Sequence, residues 1–227
     1  MGFFENRRRK AAERERARAE AAHAAAVTNW ETERTAIERM LEIVRDCRNG
    51  RTHEQFEDPS DYGFMLKDGE FAIAHLADAG FIETVRAPTS YSGGYGGVSF
   101  PIFGRVRLNT GRMRGTATRG EESISMTDRG KTLITNRRIM FAGAKRSREW
   151  RFDKMISTSH LPGGITIFAM NTGEPSGIGY GEGPAPEVQF RIELAAAMAL
   201  GALERYENEL VAEQKHHETE RPATTTS

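Results

Sequence analysis

The sequence has a single cysteine and no long apolar run. Cys47 alone cannot form an intramolecular disulfide or a cysteine-rich zinc site, so we expect the reducing environment of the cytoplasm. The longest apolar run, around residues 194–203, is rich in alanine and well short of the roughly 20 residues that cross a bilayer. These features argue against disulfide-stabilised secreted proteins and against integral membrane proteins.

The composition is also poor in apolar residues for the length of the chain. A chain of 227 residues corresponds to one domain or slightly more. Hydrophobic residues make up 38% of it and charged residues 28%. We therefore expect part of the chain to be solvated helix or tail outside the packed core.

Equal numbers of acidic and basic residues conceal an uneven distribution of charge. Residues 105–154 carry 14 Lys and Arg against 5 Asp and Glu, a balance of +9, whereas the balance is −6 for 155–227 and −3 for 1–104. A segment this basic indicates either an anionic partner or internal pairing with the acidic C-terminal third.

Residues 1–50 are predicted to form a long charged helix, because Ala, Glu and Arg dominate and no proline occurs. The first half lacks an apolar seam and is expected to project into water. The second half has an apolar stripe with coiled-coil spacing, which either the rest of the chain or a second copy must cover. We predict self-association through this helix. The stripe consists of Val27, Trp30, Ile37, Leu41 and Val44.

The remainder of the chain predicts a β domain between a linker and a tail. Residues 51–63 have the Pro, Asp, Ser and Gly content of a linker. In 64–214, short alternating stretches separated by turn residues predict antiparallel β-structure, closed by one amphipathic C-terminal helix. Residues 215–227 lack periodicity and are predicted to be disordered. The turns are placed at Asp128-Arg129-Gly130, Pro162-Gly163-Gly164 and Asn171-Thr172-Gly173.

Residues 130–156 form an ordered motif: a glycine before a short strand, a polar turn, a strand that ends in phenylalanine, a polar loop and a final aromatic and charged pattern. Its members are Gly130, Thr135, Asn136, Arg137, Arg138, Phe141, Trp150, Phe152, Asp153, Lys154 and Ile156. This motif resembles the bacterial PH-like and GRAM-like domains over about residues 121–205, and residues 66–70 (LKDGE) resemble the lead-in of such proteins. The resemblance implies a β-sandwich or partly open barrel capped by a C-terminal helix, hence an α+β fold, and it implies no catalytic position.

No motif for catalysis, metal or nucleotide binding is complete. Gly130-Lys131-Thr132 looks like the end of a phosphate-binding P-loop, but Ser125 stands where that motif needs glycine. The six histidines lack metal-ligand spacing, and Cys47 has no histidine near it in sequence. The glycine-dense stretches at 92–97 and 177–183 are interpreted as flexible loops. We therefore expect no enzyme activity, metal or cofactor.

The basic residues remain the best candidates for a binding site, because arginine dominates and its planar guanidinium suits phosphate and carboxylate groups. They predict a non-enzymatic binding or scaffold module for an anionic or protein partner. The alternative is a peripheral-membrane adaptor for anionic lipid headgroups, aided by Phe3 and Phe4. Nucleic acid is less favoured, because stacking aromatics are not interleaved with the arginines. The predicted patch gathers around one hairpin and consists of Arg137, Arg138, Lys145, Arg146 and Arg148.

Overall fold

The long alanine-rich, proline-free start of the chain forms one helix, and the glycine-punctuated remainder forms a sheet with two further helices. The computed structural model describes residues 2–52, 63–85, 98–103, 106–110 and 123–223, so most of the predicted linker lies outside the described residues. The predicted α+β class is confirmed, with a long N-terminal helix, an antiparallel sheet and C-terminal helices. The helices are α1 (Gly2–Arg48), α2 (Ala185–Ala199) and α3 (Leu203–Thr219).

Nine strands form one open sheet in the order β2-β3-β7-β8-β9-β1-β4-β5-β6. All neighbouring pairs are antiparallel except β3 with β7. Register shifts interrupt the pairing of the two longest strands, β1 and β4, where extra residues bend a sheet. The strands are β1 (Ala72–Val85), β2 (Val98–Phe103), β3 (Val106–Thr110), β4 (Ser123–Thr135), β5 (Arg138–Gly143), β6 (Ser147–Arg151), β7 (Met155–Leu161), β8 (Ile165–Met170) and β9 (Ser176–Gly179).

The structure confirms two of the three predicted turns and contradicts the third. The turns at 162–164 and 171–173 join β7 to β8 and β8 to β9. Asp128, Arg129 and Gly130 instead lie inside β4. A Cβ at Gly130 would lie 2.2 Å from the carbonyl oxygen of Ala142. Glycine is therefore needed there for the close approach of β4 to β5, and not for a turn.

Contacts between residues divide the chain into two units, of which the larger is Asp46–Tyr206. Its sheet is built around the indole of Trp150, which is 0% exposed. The ring centroids of Phe81 and Phe168 lie 5.8 and 5.1 Å from that of Trp150, and Phe81 also contacts Phe141 at 5.2 Å. The indole N–H donates to the hydroxyl of Ser176 on β9 over 3.1 Å. An aromatic cluster with its polar atom satisfied thus holds strands from both halves of the sheet together.

The C-terminal part differs from the predicted single helix and disordered tail. α2 ends at Ala199, and Gly201, with φ of +66°, separates it from α3. Only glycine adopts this conformation readily, which explains the break. Residues 215–219, predicted to be disordered, are the last turns of α3. His217 in this stretch is buried, so the helix continues because one of its side chains has a partner.

The smaller unit is Met1–Arg45 with Glu207–Ser227. Residues 6–22 of α1 are exposed throughout, as the absence of an apolar seam predicts. Farther along α1, Trp30 stacks on His217 of α3, with centroids 5.2 Å apart and planes 7° from parallel. The Trp30 indole donates to the backbone carbonyl of His217 and His217 Nε2 donates to that of Trp30, each over 2.9 Å. Two reciprocal hydrogen bonds and a stacked ring pair therefore join α1 to α3.

Among the described residues, no helix has both the length and the apolar character to cross a bilayer.

Candidate functional site

The lead-in segment and the polar turn of the motif at 130–156 are hydrogen-bonded to each other. The lead-in segment, residues 66–70, precedes β1, and the polar turn at 135–138 joins β4 to β5. Asn136 Oδ1 accepts from the backbone N–H of Phe71 over 3.0 Å, and Asn136 Nδ2 donates to the Gly69 carbonyl over 3.2 Å. The backbone N–H of Asn136 also donates to the Phe71 carbonyl over 3.2 Å. The asparagine of the turn thus fixes the path of the lead-in segment.

A buried ion pair strengthens the same contact. Arg138 Nε and Nη2 donate to the two carboxylate oxygens of Glu70 over 2.8 and 2.9 Å, and Nη2 also reaches the Met65 carbonyl over 2.9 Å. The Glu70 side chain is 0% exposed and that of Arg138 9%. Arg138 Nη1 also donates to Glu149 of β6. Because its positive charge is already matched by two carboxylates, Arg138 is not available to an external anion.

The ion pair lowers the pKa of Glu70 below its usual value. Burial alone raises this pKa, but the hydrogen bonds from Arg138, the backbone N–H of Lys67 and Thr135 outweigh burial. Beside this pair, Phe64 and Leu66 pack against the apolar cluster of Ala72, Leu133 and Met140. The lead-in segment and the polar turn therefore stabilise the sheet.

The opposite end of β5 has a different anchor. Asp128 Oδ2 accepts from the backbone N–H groups of Lys145 and Arg146 over 2.7 and 2.8 Å, and Oδ1 accepts from that of Arg129 over 2.9 Å. Burial raises the pKa of Asp128, but the hydrogen bonds from these three N–H groups lower it by more. The pKa of Asp128 therefore lies below its usual value. A Cβ at Gly143 would lie 2.3 Å from Asp128 Oδ2. The loop between β5 and β6 is therefore shaped around an internal carboxylate.

Three basic side chains project from this loop and the start of β6. We call Lys145, Arg146 and Arg148 the basic hairpin end; all three are exposed. Arg146 pairs with Glu83 of β1 over 3.0 Å, with its guanidinium carbon 5.8 Å from the ring centroid of Phe81. Lys145 and Arg148 have no acidic side chain in ion-pair contact among the residues that the structure describes. These two cationic groups, one on the loop and one on β6, are thus exposed and outside ion-pair contact, although the charge of Lys145 acts on Asp128.

The structure does not bring the five predicted patch residues together. Arg137 and Arg138 lie at the turn between β4 and β5, whereas the basic hairpin end lies at the other end of β5. At about 3.4 Å per strand residue, Arg138 is roughly 17 Å along β5 from the loop with Lys145 and Arg146, and roughly 10 Å from the level of Arg148, which pairs with Phe141. Because sequence proximity is not spatial proximity along an extended strand, the predicted patch divides into an exposed Arg137, a buried Arg138 and the basic hairpin end. The side chains of the basic residues at 105–119 lie outside the described part.

The predicted partner helix residues are used within one chain. Trp30, Ile37, Leu41 and Val44 are buried and Val27 is half-buried. Trp30 is covered by His217, which sequence reasoning placed in a disordered tail. A second copy is therefore not required to cover this stripe.

Sequence reasoning also missed a buried polar network in the larger unit. His160 Nδ1 lies 2.8 Å from Thr166 Oγ1, which lies 2.7 Å from the hydroxyl oxygen of Tyr180. His160 Nε2 lies 3.5 Å from Glu193 Oε1, and Glu193 Oε2 accepts from the Tyr206 hydroxyl over 2.8 Å. Burial raises the pKa of Tyr180. This network bridges β7, β8 and α2, and no local pattern predicts it, because its members are up to 46 residues apart in the chain, from His160 to Tyr206.

Metal-binding geometry is not found in the described segments, where no group of three or more His, Cys, Asp or Glu side chains could hold an ion. Comparison with protein-family models, curated proteins and solved structures returns no match for this chain. The resemblance to PH-like and GRAM-like domains stays a prediction.

Proposed function

We propose that this chain is a non-enzymatic binding or scaffold module of the PH-like or GRAM-like kind, located in the cytoplasm, and that its basic hairpin end receives an anionic partner. The observation that carries the proposal is a pair of exposed cations outside ion-pair contact with any described carboxylate: Lys145 on a loop that Asp128 already holds, and Arg148 on the adjoining strand β6. A carboxylate- or phosphate-bearing partner would complete their ion pairs.

The preformed loop also favours binding energetically. Association loses affinity when a loop must be ordered at the interface. Here the backbone between Gly143 and Arg146 is closed by a 2.8 Å hydrogen bond from N–H to carbonyl, in addition to the contacts with Asp128. The binding free energy is therefore not reduced by ordering this part of the backbone.

The test is a titration of a labelled ten-residue polyglutamate peptide, followed by fluorescence anisotropy at low and at physiological salt. We expect saturable binding that weakens with salt, because the contact is made by exposed charges. The double substitution Lys145→Glu and Arg148→Glu should abolish it. The matched control, Arg14→Glu with Arg18→Glu on the exposed part of α1, changes the net charge equally and should bind as the wild type does. Equal loss in both double variants would show that only net charge matters and would refute a site at the hairpin end.

The peripheral-membrane alternative uses the same cations and is distinguished by the form of the anion. The test is co-sedimentation with vesicles that contain phosphatidylglycerol. Binding to these vesicles that the same double substitution abolishes, together with no binding of the peptide, would favour the lipid adaptor.

A further inference from the structure

The strand that carries the basic hairpin end is the last strand of the sheet. β6 pairs with β5 on one side and with no described strand on the other. Ser147, Arg148, Glu149 and Arg151 are exposed, while Trp150 is fully buried and anchors the strand. Within the described ranges, the outer edge of β6 is therefore unpaired, and Trp150 attaches the strand to the core.

The hydrogen bonds at the two ends of the hairpin show which backbone groups face outward. The N–H of Gly143 donates to the carbonyl of Arg146, and the N–H of Phe152 donates to the carbonyl of Arg137. Since hydrogen-bonded residues alternate along an antiparallel strand, Arg148 and Trp150 also bond to β5. The N–H and C=O groups of Ser147, Glu149 and Arg151 consequently point away from the sheet.

Two features that block edge strands, a bulge and a proline, are absent from β6, although the strand is short and carries charged side chains. Its register with β5 is continuous, without a bulge, and it contains no proline. Two contacts hold the strand in place: Glu149 accepts a hydrogen bond from Arg138, and Asp128 accepts one from the loop before Ser147. A strand added here would meet a row of correctly spaced donors and acceptors without rearrangement of the edge.

Charge selects the strand that fits. An antiparallel pairing of two copies of β6 centred on Arg148 or on Glu149 would place like charges directly opposite each other, which is destabilising. A segment rich in Asp or Glu would instead meet the exposed cations Lys145 and Arg148. The complementarity in charge therefore favours an acidic partner over a second copy of this chain.

From these observations we propose that β6 binds an acidic peptide segment in extended conformation, which adds to the sheet as a tenth strand through the outward backbone groups of Ser147, Glu149 and Arg151. The proposal rests on the proposed function and specifies it: the charges of the basic hairpin end attract the peptide, and the edge of β6 binds its main chain.

The experiment compares two labelled ten-residue peptides of equal charge, one alternating Glu with Val and the other alternating Glu with Pro. Only the first forms a strand, so we expect it to bind at least about tenfold more tightly, the equivalent of one or two net hydrogen bonds. Ser147→Pro removes an outward N–H and should weaken binding of the Glu-Val peptide by about tenfold as well. The control Ser147→Ala keeps that N–H and should bind normally.

Amide hydrogen exchange of the wild-type protein gives a second readout that does not depend on a variant that folds. Binding should slow exchange at Ser147, Glu149 and Arg151 and leave Arg148, already bonded to β5, unchanged. Equal affinity for the two peptides, or unchanged exchange at these three amides, would overturn strand addition and leave electrostatic binding at the hairpin end intact. Binding of anionic vesicles but of neither peptide would also overturn it, in favour of the lipid alternative.

Discussion

At the scale of single residues, Glu70 makes an ion pair whose contribution to stability depends on pH. Its pKa in the folded protein is lowered relative to that in the unfolded chain, about 4.3. A carboxylate with a lowered folded-state pKa contributes stability above the unfolded value and loses it as pH falls through the folded value. The lead-in segment should therefore loosen in acid, at pH below about 4.

We predict that Glu70→Gln lowers the free energy of unfolding by about 3 kcal/mol at pH 7, because it leaves buried Arg138 without its buried carboxylate partner and with only the half-exposed Glu149. Urea unfolding at pH 7, 5, 4 and 3 should show the difference from the wild type shrinking at the acid end, where Glu70 itself becomes protonated. Glu149→Gln, whose side chain is 37% exposed, is the control and should cost less. A pH-independent difference between the wild type and Glu70→Gln would contradict this account.

Single residues also show why sequence reasoning misread the start of the glycine-dense stretch at 177–183 and the predicted turn at 128–130, whereas the stretch at 92–97 lies outside the described residues. Gly177 and Gly179 lie in strand β9, inside the sheet, and not in a flexible loop. A Cβ at Gly177 would lie 1.9 Å from the carbonyl oxygen of Thr166 on the neighbouring strand. The reason for the glycine is therefore located in another strand, and nothing in the local sequence displays it. The same holds for Gly130, whose neighbour is Ala142.

At the scale of secondary-structure elements, the contact of α1 with α3 depends on one histidine of an adjacent pair. His217 is 8% exposed and stacks on Trp30, whereas the side chain of His216 is 74% exposed. Helical geometry separates neighbouring residues by about 100° around the axis, so only one of the two can face α1.

We predict that His217→Ala lowers the free energy of unfolding of this unit by about 2 kcal/mol, through loss of the stacked ring and of the hydrogen bond to the Trp30 carbonyl. Urea unfolding followed by circular dichroism at the helix signal reports the change. The control His216→Ala should leave the midpoint within about 0.5 kcal/mol of the wild type. Equal midpoints for the two variants would show that the reciprocal contact does not stabilise the pair of helices.

Secondary-structure elements could be predicted where the residues of the element itself determine its conformation. Strands β5 and β8, the turns at 162–164 and 171–173, and the long helix α1 follow from alternation, turn residues and helix propensity. The end of α3 did not, because residues 215–219 are polar and the contacts of His217 are made with Trp30, a residue 187 positions earlier. The prediction of one basic patch was wrong for a related reason. The five basic residues are close in sequence, but the extended strand β5 separates them in space.

At the scale of the whole molecule, a sizeable part of the chain makes no packed contact. Residues 6–22 of α1 are exposed along their length, with ion pairs such as Arg9 to Glu13 one helical turn apart. Such surface pairs contribute only about 0.3–0.5 kcal/mol each. The stability of the remaining molecule should therefore be independent of this segment.

We predict that deleting residues 2–22 leaves the thermal midpoint within about 2 °C of the full-length value, because every side chain described in this segment, those of residues 6–22, is exposed. Deleting residues 2–31 removes Trp30 in addition and should lower the midpoint clearly. Differential scanning calorimetry of both truncated chains beside the full-length protein makes the comparison. A large loss in the shorter deletion would show that the exposed half of α1 has a partner in solution.

The contact of Trp30 with His217 can form only late in synthesis, because its two residues lie near opposite ends of the described chain. The two residues are 187 positions apart, so at about 5–20 residues per second the tryptophan is made roughly 10 to 40 s before its partner. Throughout that interval the nascent helix presents an uncovered indole to the ribosome surface, to chaperones and to neighbouring nascent chains. Aggregation during translation should thus be sensitive to this side chain.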